Sequence, residues 1–518
     1  WRLEDFHYGA PLAPFLFISA IYAVRRISTW VTSQNQRFFQ FSLALLLLTF
    51  SLAYHIHRGY TPLARPFIWP TVTSHQQGLE TLLSAIPPDT PAFAQSNIAP
   101  HLSQRKILYS DFGYFTDPQF PAKAPVEDVV LDVTSFENIG GLHQFLRENV
   151  VANDNYQLIT ASDGIIHLKR IDIPDQSDLT PPNQPFFNSN YQLPITSYQL
   201  PVTSLQSPVS NLPPTFYTFT HPDSPPDYDF PVNFDQLVRL HGYTLHFDRQ
   251  EEIQVTVDLE ALQPLASIQP VLYLLDANGQ PLGATSDLQP ALVWYPVEQW
   301  PVGDVVRVRF NTLPWHTRSM PAYRLAFGIV SGTDVWDTGS RHRPVVSQPT
   351  EIAPRLPADG TLIELACIEQ IWSMPEGGPM MRQFQPPPVT QRVDANFGDQ
   401  IQLLGFRDLM PLKAQDSDVV ITLVWQALSS PENLIRFVQL IGPDGMVYGQ
   451  QDSAPDNGLY PTLLWQPGEV VVDPVKFPIP AERPPGDYTL HIGLYQPDTG
   501  ERLPVNSGGD HITIPVPD

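Results

Sequence analysis

Tyr295-Pro296-Val297-Glu298-Gln299-Trp300-Pro301-Val302-Gly303-Asp304-Val305 returns 165 positions later as Tyr460-Pro461-Thr462-Leu463-Leu464-Trp465-Gln466-Pro467-Gly468-Glu469-Val470. Each copy sets two aromatic residues around a proline and closes on Gly-acid-Val, a turn that feeds a strand. Further matches flank it in the same order. Asn233-Phe234 with Gly242-Tyr243 answers Asn396-Phe397 with Gly405-Phe406, and Asn278-Gly279, a hairpin signal, answers Asp444-Gly445. Tyr323 to Gly328 answers Tyr488 to Gly493, and Asp337-Thr338-Gly339 answers Asp498-Thr499-Gly500. Offsets held between 161 and 166 mark an internal duplication.

Within each copy the runs are short. Val255-Thr256-Val257-Asp258-Leu259 alternates apolar and polar, as a half-buried strand does. Val419 to Trp425 is almost wholly apolar and fits a strand buried on both faces. With turn residues at regular spacing, the pattern predicts two tandem antiparallel β-sandwiches, over 231–348 and 394–518, joined by a linker over 349–393. The shared aromatic pairs, Tyr295 with Trp300 and Tyr460 with Trp465, are the candidate glycan-binding residues if their rings face solvent. If not, the tryptophans plug the cores.

Upstream, residues 61–170 alternate strand-like and helical runs, the pattern of a small α/β unit with a mainly parallel sheet. Ser74 to Ile86 predicts a helix capped by Ser74 and stopped by Pro87-Pro88, and Gly140 to Val151 predicts a second. Strands are expected over 91–95, 106–109, 128–133, 156–160 and 165–168. Residues 171–230 read as a Pro-rich spacer with a seven-residue repeat, Tyr191-Gln-Leu-Pro-Ile-Thr-Ser197 then Tyr198-Gln-Leu-Pro-Val-Thr-Ser204. A proline in every period excludes a continuous helix and points to extended chain.

Two apolar stretches, Tyr8–Val24 and Phe38–Ile56, are expected to cross a membrane, since about 20 residues span the hydrocarbon core. Their joining loop holds Arg25, Arg26 and Arg37 without an acid, which puts it on the cytoplasmic side and the C-terminal domains outside. Opening on Trp1, the sequence reads as the tail of a longer protein.

Of 518 residues 57 are proline, only 16% are charged and the net charge is −24. A nucleic-acid partner is thereby excluded, because phosphate binding needs a basic face. One cysteine, Cys367, excludes a disulfide framework and a multi-cysteine metal site. Cys367 lies in the apolar run Leu362–Ile368 and reads as an inert thiol. His55 and His57 read as interfacial residues, and Asp223, Asp227 and Asp229 as solvated acids instead of a cation loop. Glu4, Asp5, His7 and Tyr8, at the mouth of the first span, are the weak catalytic candidates, because ionisable groups at a membrane face signal function. No metal site is evident.

The string His7-Tyr8-Gly9-Ala10-Pro11-Leu12-Ala13-Pro14-Phe15, the second span and the run from Ile86 to Arg105 resemble a bacterial polytopic membrane family, domain of unknown function two-zero-seven-nine. That family is similar in layout to GT-C glycosyltransferases of the protein-mannosyltransferase and aminoarabinose-transferase type. The final sandwich resembles C-terminal appendages on membrane glycosyltransferases of Chloroflexi. The resemblance implies a polyprenyl-phosphate sugar donor, with a divalent cation as a further cofactor of the parent, and a catalytic acid in a first outer loop upstream of Trp1. It implies a multi-pass protein in the cell membrane whose soluble domains bind glycan or a glycoprotein acceptor. The alternative is a non-enzymatic envelope adhesion or scaffold protein anchored in the bilayer.

Overall fold

The computed structural model describes residues 13–29, 35–58, 62–64, 72–116, 125–134, 141–153, 155–171, 212–247, 253–276, 279–285, 288–310, 322–346, 350–357, 359–371, 374–412 and 417–517. The chain divides into two compact units, one ending at Ala85 and the other running from Ile86 onward.

The first unit is helical. Helix α1 covers Ala13–Ser28 and helix α2 covers Gln36–Arg58. Among the described residues, Arg37–Ile56 is the one stretch long and apolar enough to cross a membrane. Sixteen helical residues in α1 reach about 24 Å, short of a ~30 Å hydrocarbon core. The start of that expected span, Tyr8 to Leu12, lies outside the described residues. Phe38, Phe41, Leu45, Leu46, Leu48 and Phe50 of α2 are all exposed, an apolar surface that water would not tolerate but lipid would. Thr49 donates its hydroxyl back to the Leu45 carbonyl (2.8 Å), so even its polar group is satisfied inside the helix. Helix α3 covers Ser74–Ala85. Its cap is Thr73, one residue before the expected Ser74. Gln76 N–H donates to the Thr73 hydroxyl (3.2 Å) while the Gln76 side-chain oxygen accepts from Thr73 N–H (3.0 Å), a reciprocal capping box.

The second unit holds five sheets. The first comprises β1 Ala92–Ala94, β2 Leu108–Tyr109, β3 Asp128–Asp132, β4 Tyr156–Ser162 and β5 Ile165–Arg170, in the order β2-β1-β3-β5-β4. β2, β1 and β3 run parallel, and the β4–β5 hairpin joins antiparallel to β3. The sheet is therefore mixed instead of mainly parallel. Central β3 is buried along its whole length, as its Val-Val-Leu run requires. Beyond the end of β1, the buried Gln95 side chain extends the ladder. Its amide donates to the Asp132 carbonyl (3.2 Å) and its oxygen accepts from Asp132 N–H.

The other sheets are antiparallel. β6 Tyr228–Phe234, β7 Val238–Phe247, β8 Ile253–Ala261, β9 Ile268–Leu275, β10 Pro281–Ala284, β11 Val305–Phe310, β12 Ala322–Ser331, β13 Pro344–Val346, β14 Ile363–Ile371 and β15 Met374–Gly378 form two five-stranded sheets, β10-β9-β12-β14-β15 and β11-β8-β7-β6-β13. Alternate side chains from both, such as Phe234, Leu240, Val257, Leu272, Leu325 and Leu365, share one core, which makes this a β-sandwich. β16 Gln391–Phe397, β17 Ile401–Arg407, β18 Asp418–Ala427, β19 Ile435–Ile441, β20 Val447–Ser453, β21 Val470–Pro478, β22 Thr489–Tyr495 and β23 Ile512–Pro515 form two four-stranded sheets over a second core.

Two expected linkers need correction. Residues 349–393 are not a plain connection, because β14 and β15 complete a sheet of the first sandwich. At the end of the 171–230 spacer, Pro214–Thr220 forms a helical turn whose Phe216 is buried in the core of the α/β unit, and β6 already begins at Tyr228. The seven-residue repeat lies outside the described residues.

Candidate functional site

Of the candidate glycan-binding pairs, the structure turns both tryptophans inward. Pro296 and Pro461 each start a short helical turn, over Val297–Gln299 and Thr462–Leu464, which folds the following tryptophan back on the preceding tyrosine. The Trp300 indole N–H donates to the Tyr295 carbonyl (3.0 Å), and the Trp465 indole N–H to the Tyr460 carbonyl (3.2 Å). The ring centroids lie 6.4 and 6.1 Å apart. Trp300 is 4% exposed and Trp465 3%, so neither ring offers a face to a sugar. Each tyrosine hydroxyl donates to the acid of its own motif, Tyr295 to Asp304 (3.4 Å) and Tyr460 to Glu469 (2.6 Å). Burial and neighbouring Asp304 push the Tyr295 phenol up to about 12. Trp300, Tyr460 and Trp465 are buried core residues with satisfied polar ends, and Tyr295 is half-buried against the first of the two cores.

Polar chemistry gathers instead at the junction between the sandwiches. Residues 350–356 and 380–383 cross it as a paired ribbon. Ala353 N–H donates to Met380 (2.7 Å) and Arg382 N–H to Glu351 (2.8 Å). Arg382 donates to the Thr350 carbonyl (2.7 Å), the Tyr460 hydroxyl (2.7 Å) and the Leu464 carbonyl (3.0 Å), and pairs with buried Glu469. Arg324 pairs with Glu364 (2.9 Å) and Arg355 with Asp456. Asp456 N–H donates to Asp473 (2.9 Å), whose carboxylate also holds the Arg436 guanidinium (3.0 Å) and the Trp425 indole N–H (3.2 Å). Arg436 and Asp473 are fully buried. Burial pushes the Asp456 carboxyl up to about 6, although Arg355 and Arg324 pull it down.

The junction with the α/β unit is aromatic. Trp294, at the end of the short helix Pro290–Trp294, leaves its own sandwich and enters the α/β core. Its indole N–H donates to His143 Nδ1 (2.8 Å), and its ring meets Phe216 edge-on at 5.7 Å. Nothing in the sequence distinguishes Trp294 from the neighbouring core residues.

Inside the α/β sheet, Asp128 accepts from Thr90 (3.0 Å) and contacts His167 Nε2 (2.7 Å). Burial pushes its carboxyl up, but the bonds from His167 and Thr90 and nearby Lys169 outweigh that and hold it low. Arg105 braces the same corner through the carbonyls of Ile86 (3.0 Å), Pro87 and Thr90 (3.2 Å). With the Asp128 carboxylate and both terminal Arg105 nitrogens engaged by their neighbours, the cluster reads as a tie between the 86–90 turn and the sheet.

The other candidates disperse. Glu4, Asp5, His7 and Tyr8 lie outside the described residues, as does the His57 side chain. Asp223 is spent on Arg307 (3.1 Å), and no cluster of three metal-ligating groups occurs among the described residues. Cys367 is half-buried, and burial followed by Glu364 pushes its thiol up, which keeps it protonated and unreactive. One aromatic residue the sequence did not flag, Trp336, is exposed on the loop after β12.

No curated protein matches the chain. Among solved structures, it is similar to a biofilm-associated protein BSP domain at 10% identity, over 57% of this chain and 53% of that one, with a TM-score of 0.15. It is also similar to a glycosyl hydrolase family 2 member from Bacteroides cellulosilyticus (8% identity, 54% and 28% covered, TM-score 0.15). A Bacteroides uniformis beta-glucuronidase matches at 10% identity, with 54% and 26% covered and a TM-score of 0.16. The chain thus spans about half of the first and about a quarter of the others. Residues 5–167, which take in the three helices and the α/β sheet as far as His167, match the family described as Predicted membrane protein (DUF2079).

Proposed function

We propose that this chain is a membrane-anchored outer scaffold. Helices α1 and α2 cross the bilayer, and the unit from Ile86 onward stands outside the cell membrane to hold a glycan or glycosylated partner. The observation that carries the reading is the contrast between α2, whose apolar side chains are all outside any core, and a compact unit whose buried aromatics and ion pairs serve stiffness. Two similar sandwiches in tandem, from a duplicated segment, give such a scaffold length. Alkaline phosphatase fused after Asp518 should be active and a fluorescent protein there dark, with the reverse for fusions between Thr29 and Asn35. A bright fluorescent fusion after Asp518 would overturn the reading.

A second reading sets the scaffold within a GT-C-like glycosyltransferase, where it presents an acceptor to a polyprenyl-phosphate sugar and the Glu4–Tyr8 neighbourhood lies beside the donor. The resemblance of the segment before Arg105, and the match of residues 5–167 to a membrane-protein family, favour it. Membranes holding the native protein should move label from a polyprenyl-phosphate sugar to envelope glycan. If they do not, a non-enzymatic adhesion scaffold is what remains.

A further inference from the structure

We infer that Trp336 is a stacking platform for a neutral pyranose, a site on the first sandwich that deepens the glycan-holding reading and rests on it. Trp336 is 49% exposed, yet it is held firmly. Preceding Val335 is buried on the outer face of β9 and β12, against Val271, Tyr273, Leu275, Ala326, Val330 and Leu362. The Tyr273 hydroxyl donates to the Val335 carbonyl (2.6 Å), and its ring meets Trp336 edge-on at 6.1 Å. The Arg341 guanidinium lies 4.7 Å from the Tyr273 ring centre and pairs with Asp359 (2.8 Å). Asp334 accepts from Trp336 N–H (3.0 Å) and Asp337 from Gly339 N–H (2.9 Å), which fixes the backbone on both sides of the ring. An exposed aromatic that is already ordered loses little freedom when a ligand lands on it.

The second sandwich shows that the fold does not need this residue. Its corresponding turn also sets an arginine over an aromatic ring, Arg502 at 4.3 Å from the Phe437 ring centre. There, only five positions separate Gly493 from Asp498, against nine from Gly328 to Asp337. The four extra residues of the first sandwich carry Trp336 above a foundation that both possess.

The surroundings select the ligand. Asp334, Asp337, Thr333, Thr338 and Gly332 around the ring are exposed and polar or small. A protein hot spot needs apolar neighbours that exclude water, and they are missing from this loop. The C–H face of a pyranose, slightly positive, suits the negative face of an indole, while sugar hydroxyls donate to the two carboxylates. The same carboxylates repel an anionic sugar.

The full chain in detergent micelles should bind at least one immobilised hexasaccharide of β-1,4-linked glucose, mannose or N-acetylglucosamine, and should not bind polygalacturonate. Trp336→Ala should weaken that binding by about tenfold or more, with Trp336→Phe intermediate and melting unchanged in both. No binding to any of the three neutral probes, or equal binding by Trp336→Ala, would overturn the inference. The assay is blind to membrane orientation, so its failure leaves the fusion result standing, and a wrong orientation leaves the binding result standing.

Discussion

The two junctions within the unit from Ile86 onward are built from contrasting chemistry. Where the α/β unit meets the first sandwich, Trp294 and Val293 cross into a neighbouring core, and the polar ties are few and partly exposed: Trp294 to His143, Arg147 to the Val293 carbonyl, and His221 to Asp304. Where the first sandwich meets the second, Arg355 pairs with Asp456 and Arg382 with Glu469, flanked by Arg324–Glu364 inside the first sandwich and fully buried Arg436–Asp473 inside the second. Apolar burial is strong but non-directional, so it tolerates small shifts of one body on another. Buried charges are net neutral at best against apolar replacements, yet each fixes its partner's position because leaving it unpaired is so unfavourable. The ionic junction therefore has its orientation specified, and the aromatic one chiefly has its affinity.

The sharpest way to break the contrast is Arg382→Ala. It strands a buried Glu469 and removes bonds to Thr350, Tyr460 and Leu464, so a loss of about 3–5 kcal/mol is expected, read as early melting of the second sandwich and proteolytic cutting within 350–390. Replacing both partners, as Arg382→Met with Glu469→Leu, should recover much of that loss. Failure to recover would show that the pair itself supplies the stability. Trp294→Ala should cost about 3–4 kcal/mol through the cavity it leaves, loosening the α/β unit while the second sandwich melts as before. Equal damage at both junctions would erase the distinction.

Acidity sharpens it further. The Asp456 carboxyl holds its proton up to about 6 in the folded chain, against 3.8 ordinarily, and the charges facing it are Arg355, Arg324, Glu364 and Asp473. Between those two values the folded state binds more protons than the unfolded one. This group's contribution is thus fully present below about pH 4 and lost as the pH rises through 6, an effect on the order of 3 kcal/mol. Amide protection at residues 454–460, after correction for the base-catalysed intrinsic rate, should be higher at pH 5 than at pH 7.5, and Asp456→Asn should flatten that dependence. Asp128, held low by His167 and Thr90, works the other way, and its contribution is lost as the pH falls. Protection around Val129–Leu131, corrected in the same way, should therefore fall on acidification; a common direction of the corrected values at both sites would contradict the two environments.

How much of this was legible in the sequence follows from range. The strand runs, the turn glycines and the paired motifs are local, and the sheets stand where alternation put them. The apolar stretch Phe38–Ile56 is local too, and it falls in helix α2. Three things were not readable. The linker over 349–393 hides β14 because Ile363–Ile371 joins the sheet by pairing with β12, some 40 residues earlier, as well as with adjacent β15. Tyr295, Trp300, Tyr460 and Trp465 give the same pattern whether the rings face in or out, and only the turn that Pro296 and Pro461 begin decides it. Trp294 and Trp336, one fully buried between two bodies and one exposed, differ by contacts more than 60 residues away in sequence.

The smallest test asks whether the two sandwiches answer alike to the same change. Gly242 and Gly405 sit at matched bulges, where the register of β7 against β8 shifts between Leu240 and Gly242, and that of β17 against β18 between Leu403 and Gly405. A Cβ added at Gly242 would lie 2.2 Å from the Tyr228 carbonyl oxygen, and one at Gly405 would lie 2.3 Å from that of Gln391. Both obstacles are backbone, which cannot swing aside as a side chain does, so one strand must move. Overpacking of this kind costs about 1–3 kcal/mol, and Gly242→Ala and Gly405→Ala should each lower the melting of their own sandwich by a similar amount. Were Gly405→Ala silent while Gly242→Ala was not, the second sandwich would be the looser of the two at this edge, and the similarity would end at the level of sequence.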